Sequence, residues 1–218
     1  MAKTLLSAPL DREELANSIT HGIGALLSIA GLGWLAIESH PIPDFWHSAA
    51  LWIFGLSLVV LYSSSTIYHS LIDRKLKRTF QIVDHIAIYV LISGTYTPFA
   101  IIALNDRTAQ IVTASLWALS AIGALFKIKY TGKYKVISTL SYLTMGWTAL
   151  IFAGPLLEKI SITGFIWLIG GGLAYTIGVI FFLWERLRYS HAIWHLFVLV
   201  GSGCHFYAVY RYVLPHAF

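Results

Sequence analysis

SHAIWHLFVLVGSGC, residues 190–204, sets two histidines four residues apart at the start of an apolar run that carries no charge. In a soluble protein such a run is a core segment; in a membrane it is a crossing helix, and each ionisable side chain on it is costly and calls for a partner. The rest of the chain decides between the two.

Of 218 residues, 57% are hydrophobic and only 11% charged, with a mean hydropathy of +0.72. A soluble domain carries about 25% charged residues, so this is the composition of a membrane protein. The net charge of +5 is spread over short segments, and no extended basic surface points to nucleic acid. Cys204 has no second cysteine in the chain to pair with, which excludes an intrachain disulfide framework.

A crossing helix needs roughly 20 mostly apolar residues. Apolar runs bounded by charges, prolines or polar clusters predict seven of them, at 17–38, 46–70, 80–104, 109–128, 135–156, 162–184 and 191–214. The connections are short, and ESHPIPD and LNDRT read as turns. The expected architecture is an all-α seven-helix membrane bundle, a single domain over 1–218 with a short N-terminal segment at 1–16. MAKTLLSAPLDREEL is too interrupted by charge for a cleavable signal peptide, so the first span is expected to act as its own insertion signal.

Basic residues fall on alternate connections: Arg74, Lys75, Lys77 and Arg78; Lys127, Lys129, Lys133 and Lys135; Arg186 and Arg188. The positive-inside rule makes those connections cytoplasmic, which puts the N-terminus inside and the C-terminus outside. Trp46, Tyr207 and Tyr210 read as interfacial anchors, and Gly170 to Gly172 as a site of close helix approach.

That orientation gathers polar residues from distant segments. His69 ends the second span, Asp84 begins the third, and His191 and His195 begin the seventh, all at one depth on the cytoplasmic side. Residues four apart on a helix share a face, so His191 and His195 can offer nitrogens to one ion. His69 makes three imidazoles with an open fourth position, the usual way of holding catalytic zinc. Asp84 is expected as a fourth ligand or as a base acting on a water at the metal, and Ser65, one turn before His69, as a contact to that water or to substrate. His85 points about 100° away from Asp84, and His205 lies about 21 Å along the helix from His191; neither is expected in the site. Glu14, Asn17 and His21, spaced by three and four, share one face of the first span, where Asn17 or Ser18 reads as a helix cap.

Four stretches, ELANSITHGIG at 14–24, SSTIYHS at 64–70, DHIAIYVLISGTYTP at 84–98 and SHAIWH at 190–195, resemble in order the bacterial hemolysin III branch of the progestin and adipoQ receptor superfamily. The resemblance implies zinc on His69, His191 and His195, with Ser65 and Asp84 as the site serine and aspartate. It further implies a multi-pass protein of the bacterial inner membrane linked to lipid homeostasis. The substrate or ligand expected from it is a membrane lipid, ceramide-like or phospholipid, and the activity a metal-dependent amide or ester hydrolase. A non-enzymatic receptor or regulator with the same zinc is the alternative, and an oligomer is compatible with either. A pore-forming cytolysin fits less well, because no continuous polar stripe crosses the spans.

Overall fold

A computed structural model describes residues 11–218; residues 1–10, most of the expected N-terminal segment, lie outside them. The described residues are helical and contain no strand. The elements are α1 (Arg12–Ser39), α2 (Phe45–Ser70), α3 (Arg74–Pro98), α4 (Arg107–Tyr130), α5 (Lys135–Gly146), α6 (Ala153–Leu183) and α7 (Ser190–Ala208). Short 3-10 or π turns extend α3, α5 and α7.

Aspartates start three of the helices. Asp44 Oδ1 accepts from the backbone N–H of Trp46 and His47 at 2.7 and 3.0 Å, Asp73 from Leu76 at 2.8 Å, and Asp106 from Ala109 at 2.8 Å. Each satisfies N–H groups that a helix start leaves without partners. Pro98 has no N–H to give the helix it ends, and a π turn at Phe99–Leu104 follows.

Among the described residues, six helical segments are long and apolar enough to cross a membrane. Seven separate spans were expected; the difference lies at 135–184, where the anticipated fifth and sixth spans form one helical run, Lys135–Leu183. Within it a 3-10 stretch, Trp147–Phe152, is flanked by Gly146 and by Gly154 and Pro155. Ser161 then takes a non-helical conformation, φ 63° and ψ 165°, at a kink inside α6. The run is not straight, because the Trp147 indole N–H donates to Thr176 Oγ1 at 3.1 Å, whereas 29 residues of continuous helix would span about 44 Å.

α2 is the central element. It packs along α1 and α3, while α7 packs on α6 and α1, and Leu51, Phe54 and Tyr62 are buried. α1 turns the other way: Leu26, Leu27, Ile29 and Ile37 are exposed, as suits a helix whose outer solvent is lipid. Glycine permits the closest contacts. A Cβ on Gly24 would collide with the Tyr62 ring and Leu199, whereas one on Gly203 would meet nothing within 4 Å. Gly24→Leu is therefore expected to cost about 1–3 kcal/mol and to lower the unfolding temperature in detergent by several degrees. Gly203→Leu should be neutral, and equal melting of the two variants would refute this account of the α1–α2–α7 contact.

Candidate metal centre

The last turn of α2 and the first two turns of α7 bring three imidazoles together. His69, His191 and His195 each offer a ring nitrogen, and these atoms lie within 4.8 Å of one another. The ring centroids are 5.1 Å apart for His69 with His191 and with His195, and 4.6 Å for the α7 pair. His69 and His195 are buried and His191 is half-buried. Tetrahedral zinc with Zn–N near 2.0–2.1 Å sets ligand nitrogens about 3.3 Å apart, so small side-chain rotations suffice to close on an ion.

Neighbours decide which nitrogen each ring presents. Glu14 Oε2 lies 2.8 Å from His69 Nδ1, and a carboxylate only accepts, so Nδ1 carries the proton and Nε2 keeps its lone pair. That Nε2 is buried with no hydrogen-bond partner, the state expected of an atom reserved for a metal. His195 Nδ1 faces the carbonyl of Asn17 at 3.2 Å and Thr20 Oγ1 at 3.1 Å. The Thr20 hydroxyl gives its own proton to the carbonyl of Ala16 or Asn17, so both neighbours accept from His195 Nδ1–H and its Nε2 is also bare. His21 stacks on His195 with centroids 3.4 Å apart and planes 12° off parallel, which limits rotation of that ring.

Asp84 and Ser65 are buried beside the cluster. The Ser65 hydroxyl faces the Asp84 carboxylate. Both line a cavity that His191 and His195 also border. The cavity runs along α3 from Asp84 to Phe99, about 22 Å of helix, between largely apolar walls.

Of the five site residues read from the sequence, Ser65, Asp84, His191 and His195 line this cavity, and His69 stands beside it in the imidazole cluster. His205 borders the far part of the same cavity and donates from Nε2 to the carbonyl of Leu168 at 3.0 Å; it stands outside the imidazole cluster, as expected. His85, expected to face elsewhere, lines the cavity with Asp84, because the cavity is wide enough to meet adjacent positions of α3.

Sequence reasoning left Glu14, Asn17 and His21 without a role beyond a helix start, and it missed Thr20. Their shared face on α1 was the available signal. Lys77, taken only as a topology marker, donates from Nζ to the same Glu14 oxygen at 2.9 Å.

A family model described as "Haemolysin-III related" matches residues 11–206. The chain is similar to Hemolysin-3 of Bacillus cereus, 45% identical over 94% of each chain. It is also similar to a Hemolysin-3 homolog of Bacillus subtilis, 42% identical over 95% of this chain and 97% of that one. Human monocyte to macrophage differentiation factor is 30% identical over 94% of this chain and 86% of its own.

Proposed function

Because the chain belongs to the haemolysin-III-related family and is a multi-pass bacterial membrane protein, we propose that it is a zinc-dependent hydrolase of a lipid amide or ester bond, acting from the inner membrane on ceramide-like lipid or phospholipid. Three imidazoles at the polar end of a long apolar cavity, two of them fixed with Nε2 bare, carry this reading. An acyl chain matches the walls, and its head-group bond then lies at the cluster.

His69, His191 and His195 would hold the ion, and an all-imidazole set with no thiolate suits zinc. Bound there, zinc supplies Lewis-acid polarisation of a carbonyl and a more acidic water. Asp84 accepts the proton as general base. Ser65 donates its hydroxyl hydrogen to the substrate or to the attacking water. The walls exclude bulk water from the reacting bond.

The proposal counts the Lys135–Leu183 run as two crossings, seven in all within one domain over 1–218, and takes its support from the Ser161 break and the Trp147 to Thr176 contact. With the basic connections inside, the N-terminus is cytoplasmic and the metal centre faces the cytoplasm. A reporter after Phe218 should read as periplasmic and one between Arg74 and Arg78 as cytoplasmic; the same side for both would overturn this topology.

Metal analysis by mass spectrometry tests the site. His69→Ala, His191→Ala and His195→Ala should each lose most of the zinc, since two imidazoles and apolar walls do not replace a third ligand. Asp84→Ala should keep most of the metal and lose lipid turnover, measured with ceramide-like and phospholipid substrates, by at least the 10²-fold typical of a general base. His205→Ala should retain its zinc. Full occupancy in all three histidine variants would overturn the metal reading; zinc without turnover would leave a non-enzymatic regulator.

A further inference from the structure

We propose that α1 sets how tightly the centre holds its metal, with Glu14 as a positioning residue that acts through His69 and Lys77 as its strap. The inference rests on the three-histidine reading and assigns the ELANSITH stretch, which neither hydrolysis nor ligation uses.

Glu14 Oε2 accepts from His69 Nδ1–H at 2.8 Å and from Lys77 Nζ–H at 2.9 Å. One oxygen therefore joins α1, the end of α2 and the start of α3. Lys77 Nζ also donates to the carbonyl of Leu71 at 3.4 Å, tying the same ammonium to the segment that follows His69. A carboxylate behind an imidazole fixes its tautomer, aims the opposite nitrogen and makes that nitrogen a stronger donor to a cation.

A second, separate contact comes from the same helix. The Asn17 carbonyl and Thr20 hydroxyl, three and six residues after Glu14, hold His195 Nδ1–H. α1 thus orients two of the three rings without offering a ligand of its own. Glu14 is the stronger of these holds, because its hydrogen bond to the ring carries charge.

The test is zinc affinity of the full chain in detergent, measured by competition with a chelator of known strength. Glu14→Gln keeps the size of the side chain and removes the charge; it should weaken zinc binding by about 10–100-fold and shift the visible bands of the cobalt(II)-substituted protein. Glu38→Gln, at the other end of α1, should change neither. Lys77→Met should alter affinity by less than Glu14→Gln does, and by less still in the Glu14→Gln background, where only its bond to the Leu71 carbonyl remains. Should Glu14→Gln fold poorly, Glu14→Asp, too short to keep the 2.8 Å contact, should show the same loss.

Wild-type affinity in Glu14→Gln or Glu14→Asp, or full additivity of the Glu14 and Lys77 effects, overturns the inference while leaving the metal reading intact. A wild-type chain that binds no zinc overturns both.

Discussion

A ring nitrogen buried within a membrane draws its partner from protein or from a bound ligand, because hydrocarbon offers none. That constraint organises this bundle. His69 and His195 each settle one nitrogen on α1, the first on a carboxylate and the second on a backbone carbonyl and a hydroxyl. These contacts bring α1, α2 and α7 together and leave the opposite nitrogens facing one another. The same requirement is met farther along the bundle, where Tyr62 donates to Ser202, and Tyr175 and Ser202 share a second hydrogen bond.

The residues legible in the sequence were those whose relation is fixed within a helix or by topology. His191 and His195 declare themselves by spacing, and His69, Asp84 and Ser65 by the depth at which alternate helices end and begin. The holds on the rings were not legible to the same degree. Whether Glu14 meets His69 depends on how α1 is rotated against α2, which its own periodicity does not report. The Asn17 carbonyl has no sequence signature at all, since every residue carries one. Likewise the runs before and after Ser161 were visible as apolar segments, but a serine in a left-handed conformation gives no warning of how they join.

The cavity complements the imidazole cluster in a way that neither explains alone. A polar cluster with no apolar extension would suit a small hydrophilic molecule; an apolar cavity with no cluster would suit a passive lipid site. Joined end to end along about 22 Å of α3, they match an amphiphile. Glycines on α1 and α6 let rings fill the gaps beside them, Tyr62 against Gly24 and His205 against Gly171.

The division of the cluster between α2 and α7 also bears on how the protein is made. Ribosomal synthesis delivers Glu14 first, then His69, and the α7 histidines only after 121 further residues, the interval from His69 to Ser190. Until α7 enters the bundle, the Nε2 of His69 has no companion and the Asn17 carbonyl no imidazole to hold. Completion of the cluster is therefore a late event of biogenesis, and it reports that the first and last helices have found each other.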